Sequence, residues 1–223
     1  MRLVPILTAG GIRKSYGGRA ILRGAELALA EGTVVGLIGR NGAGKTTLLR
    51  ILCGMVRCDE GEIRLNGSRV PAIGPRPGLV QFGGGHTIPP GIKAREWADL
   101  VSDGAWRSPE KRAVRDLSRG TRQMLGLRAT LATRGARVIV LDEPWEGLDP
   151  DGARWLNVEL ARKAAAGVAI LVSSHRLDDL ARASQRYAFL SEGTIRERTR
   201  EDGGPRIAGD DLLREFDRLN RMP

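Results

Sequence analysis

At 223 residues, 41% of them hydrophobic, the chain is long enough to bury one sizeable core with a small appended subdomain. Its longest apolar runs, such as VIVL and VAILV, fall far short of the roughly 20 residues that a membrane-spanning helix needs. The formal net charge of +10 comes mostly from arginines scattered along the chain and favours anionic partners, whether nucleotide, nucleic acid or an acidic membrane face.

The opening stretch, MRLVPILTAGG, lacks the long apolar region and cleavage site of a signal peptide, so a cytoplasmic location is expected. In the N-terminal third, AELALAEG and GEIRLNG end in turn signals and predict antiparallel β structure. TVVGLIG, RVIVLD and VAILVSS are short, β-branched and apolar on both faces, which is the pattern of buried parallel strands. Cys53 and Cys58, in CGMVRC, fit neither a redox nor the usual zinc spacing and are read as reduced packing residues. After the glycines and prolines of GGGHTIPPG, two short helices are predicted over KAREWADLV and SPEKRAVRD, the second capped by Ser108 with Pro109 in its first turn. A further helix starts at Ser118 and runs through QMLGLRATL. The alternation of strand-like and helical patterns predicts an α/β domain with a mainly parallel sheet, an N-terminal antiparallel β subdomain and a short helical subdomain at 82–135. Residues 198–223 form a tail whose Leu212, Leu213, Phe216 and Leu219 make one apolar helical stripe, read as a docking helix of a single domain spanning 1–223.

The strongest chemistry lies in GRNGAGKT, directly after VVGLI and directly before TLLRILCGM. Gly39, Gly42 and Gly44 permit a tight loop through Arg40, Asn41 and Ala43 whose backbone N–H groups face a phosphate. Lys45 would reach the β- and γ-phosphates, the Thr46 hydroxyl would bind Mg²⁺, and Thr47 beside it is placed at the nucleotide. RVIVLDEP adds Asp142 and Glu143 at a strand's carboxyl end, where the ligands of a parallel sheet gather; Asp142 is expected in the metal shell and Glu143 as the group that polarises water. His175 ends another buried strand in AILVSSH, on the same sheet edge, and is assigned to the γ-phosphate region. His86, in the glycine-rich loop, receives no role. LSRGTRQ places Ser118 and Gly120 at a helix start, a second phosphate-binding geometry that is also an ordinary capped helix.

From about Ile12 to about Glu197 this order of motifs resembles the ATP-binding cassette family. GRNGAGKT is similar to its phosphate loop, Gln81 in LVQF to its Q-loop glutamine, LSRGTRQ to its signature, VIVLDE to its Walker B strand, GLDP to its D-loop and SSH to its switch histidine. The resemblance implies ATP and Mg²⁺ as cofactors, with Gln81 at the metal, Asp149 of GLDP at the nucleotide and Tyr16 of KSYGG stacked on adenine. It also implies head-to-tail pairing of two cassettes, so that Ser118 and Gly120 contact the γ-phosphate bound by a partner chain. The sequence departs from the family pattern at Arg119 and Thr121, which replace a glycine and a glutamine, and at Trp145, where a small residue is common. Trp145 is a candidate to pack across the dimer seam.

The segment from Gln81 to Ser118 is short, and TIPPGIKAREWADL resembles compact exporter cassettes. The resemblance therefore implies the ATPase subunit of an ABC exporter, peripheral on the cytoplasmic face of the cell membrane, driving separate permease subunits and pairing with a second cassette of the same or another kind. A soluble cassette ATPase acting on nucleic acid or ribosomes is the alternative that the high charge permits. One set of motifs and no heptad run argue against it. A small-molecule kinase would leave LSRGTRQ and SSH unexplained.

Overall fold

The computed structural model describes residues 5–199 and 208–221. In chain order the strands are β1 (Pro5–Tyr16), β2 (Arg19–Ala30), β3 (Val34–Ile38), β4 (Glu60–Leu65), β5 (Ser68–Arg69), β6 (Leu79–Phe82), β7 (Val138–Asp142), β8 (Ala169–Ser173), β9 (Arg186–Ser191) and β10 (Thr194–Thr199). The helices are α1 (Lys45–Leu52), α2 (Ala94–Val101), α3 (Arg119–Ala132), α4 (Pro150–Ala165), α5 (Leu177–Ala183) and α6 (Gly209–Arg221).

Two sheets organise the chain. An antiparallel sheet has the order β2-β1-β4-β5, and a larger one the order β10-β9-β3-β8-β7-β6, parallel throughout except for β10. The expected fold class is thus the observed one. Strands β3, β7 and β8 carry apolar residues on both faces because both are covered. Val35, Leu37, Val140 and Leu171 face a core closed by α1 and the antiparallel sheet. Val34, Ile38, Leu141 and Val172 face one closed by α3, α4, α5 and α6. Cys53 and Cys58 are free thiols packed against the first of these cores, and burial pushes the Cys53 thiol up to about 12.

Three expectations are corrected. The predicted helix over SPEKRAVRD is absent; only a 3₁₀ turn at Val114–Asp116 remains. Its backbone groups pair with the chain entering α2 and with the helix's first residue instead: Ala94 N–H donates to Arg112 O at 3.0 Å and Val114 N–H to Ile92 O at 2.9 Å. Ser108 accepts from Glu110 N–H at 3.2 Å in a turn, not at a helix start. In α6, Leu212 and Phe216 turn inward, and Phe216 stacks on Phe189 with centroids 6.3 Å apart. The apolar stripe is therefore occupied at these positions by the chain's own core, leaving Leu213 exposed; the side chain of Leu219 lies outside the described residues. Trp145 is 0% exposed and its Nε1–H donates to Asn157 Oδ1 at 3.1 Å, so it packs within the chain and not across a seam. Among the described residues no helix is long and apolar enough to cross a membrane.

Candidate functional site

The carboxyl ends of β3, β6 and β7 open onto a cleft of about 860 Å³. On one side the loop between β3 and α1 contributes Arg40, Asn41, Gly42 and Gly44, and the first turn of α1 Lys45, Thr46 and Thr47, with Tyr16 and Ile21 from the antiparallel sheet. Gly44 caps α1 at φ 104°, a backbone region that side chains rarely adopt, and an added Cβ would come within 2.8 Å of Ile21 Cγ2. No side chain caps this helix, so its first N–H groups and the positive end of its dipole meet the cleft, an arrangement suited to phosphate. Lys45 Nζ folds over the loop, donating to Gly39 O at 2.7 Å and Arg40 O at 3.3 Å. Gly39 and Ala43 lie behind this surface, where Gly39 leaves no room for a side chain against Leu190 O. Tyr16 is 49% exposed at the rim, with Lys14 Nζ over its ring 5.2 Å from the centroid.

The strand ends converge on the same cleft. Thr46 Oγ1 donates to Asp142 Oδ2 at 2.9 Å, and Ser173 Oγ donates to Asp142 Oδ1. Glu143 follows with φ 48°, unusual for a non-glycine residue and costing on the order of 1–3 kcal/mol, which its surroundings must offset. Its N–H donates to Ser173 O at 3.0 Å and Ser173 Oγ at 3.3 Å. Glu143 Oε2 then accepts from His175 N–H at 3.1 Å and lies 2.8 Å from His175 Nδ1. Sequence reasoning missed Ser173. No sequence signal gave it: Ser173 reaches Asp142 only through the β7–β8 register, which sets the two residues opposite each other.

Gln81 sits on β6, and its Oε1 is buried without a hydrogen-bond partner, although its side chain does not line the cleft. A hydroxyl, a carboxylate and an unsatisfied amide oxygen are hard donors of the kind Mg²⁺ takes. Among the described residues no group of three or more His, Cys, Asp or Glu gathers as a metal site.

The opposite wall comes from Gly83–Gly85, His86, Arg119, Arg122, Gln123 and Glu146. His86, set aside from sequence, thus stands in the cleft. Ser118, Gly120 and Asp149 do not line it. Ser118 Oγ caps α3 by accepting from Thr121 N–H at 3.1 Å, and Asp149 caps α4 by accepting from Gly152 N–H at 2.7 Å. Gly120 packs on Gly147 O, and Arg119 pairs with Glu146.

Residues 22–146 match the family model described as ABC transporter. The daunorubicin resistance ATP-binding protein DrrA3 of Streptomyces coeruleorubidus is 33% identical, over 96% of this chain and 75% of that protein. The lantibiotic transport ATP-binding protein SrtF of Streptococcus pyogenes is 29% identical, over 91% of this chain and 94% of that protein. The ribose import ATP-binding protein RbsA of Caldanaerobacter subterraneus subsp. tengcongensis is 29% identical over 95% of this chain, which spans about half (49%) of that protein. Among solved structures, the ATP-binding subunit of an ABC transporter superposes with a TM-score of 0.82 at 22% identity, covering 95% of this chain and 99% of that one. A dimeric post-hydrolysis cassette bound to ADP and Pi does so with a TM-score of 0.77 at 19% identity, covering 86% and 98%.

Proposed function

The chain belongs to the ABC transporter family, as an ATP-binding subunit with ATPase activity, and on that premise we propose that it powers export. It acts as one cassette on the cytoplasmic face of the cell membrane, pairs with a second cassette around two ATP and drives separate permease subunits.

The observation that carries the catalytic reading is the chain of contacts Thr46–Asp142–Ser173–Glu143–His175 at the sheet edge beside Lys45. Lys45 and the amides from Gly42 to Thr47 hold the phosphates, and Tyr16 stacks on the adenine. Thr46, Asp142 and Gln81 would hold Mg²⁺, which supplies neutralisation of the phosphate charge when bound. Glu143 polarises the attacking water and is itself held by His175. Ser118, Gly120 and Asp149 serve the nucleotide of the partner cassette, which accounts for their place outside this chain's own cleft.

Export is favoured by two features. The stretch between Gln81 and Ser118 contains one α-helix, α2, and the drug-resistance and lantibiotic proteins align over most of both chains, whereas the match to the ribose protein covers half of it. Inverted membrane vesicles carrying the chain and its permease, supplied with ATP outside, test the direction. Accumulation of drugs, lipid analogues or peptides inside them is expected. Uptake seen only in right-side-out vesicles would overturn the export reading.

A further inference from the structure

We infer that Gln123 is a positioning residue for Glu143, tying the start of α3 and the loop after β6 to the peptide that presents the catalytic carboxylate. The inference rests on the role proposed above for Glu143. Gln123 is only 5% exposed, and both ends of its amide are used. Its Oε1 accepts from Gly85 N–H at 2.7 Å. Its Nε2 donates to Pro144 O at 2.9 Å and to Glu143 O at 3.4 Å. A buried amide is costly unless both its donors and its acceptor are satisfied, and an apolar side chain would fill the same space without that demand.

The bonds converge on a strained peptide. Glu143 holds φ 48°, a conformation that persists only when neighbours over-determine it. From the sheet side, Ser173 takes the Glu143 N–H. From the helix side, Gln123 takes its carbonyl and the next one. The carboxylate is then left to meet His175. Gly85 lies so close to the helix that an added Cβ would stand 2.8 Å from Gln123 N, so loop and helix move together. Gln123 follows Ser118 by about one and a half turns of α3, at 3.6 residues per turn. Engagement of Ser118 by a partner cassette therefore reaches the backbone of Glu143 through Gln123, while the contacts of Arg119 with Glu146 and of Gly120 with Gly147 O end on later residues of the same loop.

Two variants test this. Gln123→Glu keeps the shape and an acceptor for Gly85 but places oxygen opposite two carbonyls, and Gln123→Met keeps the volume without hydrogen bonds. With the chain assembled on its membrane subunits, both should lower kcat by at least about tenfold while the ATP KM and the affinity for a fluorescent ATP analogue stay within about twofold. Added to Glu143→Gln, either should cause no further loss, because both act through the same carboxylate. A kcat near the parent's in either folded variant would overturn the assignment, as would a parallel fall of kcat, nucleotide affinity and Tm, which marks a purely structural residue. If Glu143→Gln itself turns over like the parent, the failure belongs to the role given to Glu143 and not to Gln123.

Discussion

The N-terminus of α1 and that of α3 both present backbone N–H groups at the start of a helix, yet the chain treats them differently. At α1 no side chain caps the helix, Gly44 brings the backbone up against Ile21, and Lys45 lies over the loop carbonyls. At α3 the Ser118 hydroxyl already accepts from Thr121 N–H and stands 2.8 Å from Thr121 Oγ1, while Arg119 is paired with Glu146. The first terminus is open to an anion within its own chain. The second is already satisfied by exposed contacts from its own chain, and on the reading proposed above a partner's phosphate would displace the neutral Ser118–Thr121 bond.

The largest expected effect separates the two ends by what each does in a dimer. Glu143→Gln should lower the hydrolysis rate by roughly 10²–10⁴-fold, the usual contribution of a general base, while leaving Asp142 and the phosphate contacts in place. The ATP-bound pair should then accumulate in light scattering with Mg-ATP and the chain's true partner. Adding Ser118→Arg should abolish that pair while each monomer still binds nucleotide. A double mutant that dimerises fully would mean that the α3 terminus does not act on a partner.

The α1 terminus is tested more simply. Lys45→Ala removes a cationic donor, and hydrogen bonds to charged groups contribute about 1.5–3 kcal/mol, so nucleotide affinity should fall by roughly 10- to 150-fold in a fluorescence titration. Equal affinity in mutant and parent would remove the phosphate loop from the site. At the cleft rim, Tyr16→Ala should weaken ATP binding by about 1–3 kcal/mol, as expected of a lost base stack, with little change in the rate at saturating ATP. A Michaelis constant that does not move would reduce Tyr16 to packing.

The smallest effect sharpens the contrast from the other end. Arg119 and Glu146 are both exposed, so Arg119→Ala should change monomer stability by less than about 1 kcal/mol and leave Tm almost unmoved. A large drop in Tm would show that the α3 terminus is locked within its own chain and not held ready for another.

The parallel strands were legible because a strand covered on both faces is apolar on both, and VVGLI is so throughout while VIVLD and AILVS are so up to their last residues, Asp142 and Ser173. The loop of GRNGAGKT was legible because its glycines, lysine and threonine are contiguous between a strand and a helix, so local geometry suffices to assemble them. SPEKRAVRD misled because Ser108 and Pro109 are good helix starters, but the backbone hydrogen bonds went to residues 92 and 94, beyond the reach of any local pattern. The stripe on α6 was correctly periodic; periodicity says that a face will be buried and is silent on what buries it.

What the sequence alone determined was the fold class, the buried parallel strands and the strand–loop–helix setting of GRNGAGKT, since these follow from steric rules acting over a few residues. The tertiary structure decided everything that depends on two distant segments meeting. It put Trp145 inside the chain, gave Asp149 to a helix cap, set Ser173 against Asp142 across 31 residues and Gln123 against Gly85 across 38. The physical reason is that a buried polar group must be satisfied by whatever the fold brings within hydrogen-bonding reach, and that neighbour is set by sheet register and helix packing rather than by position along the chain.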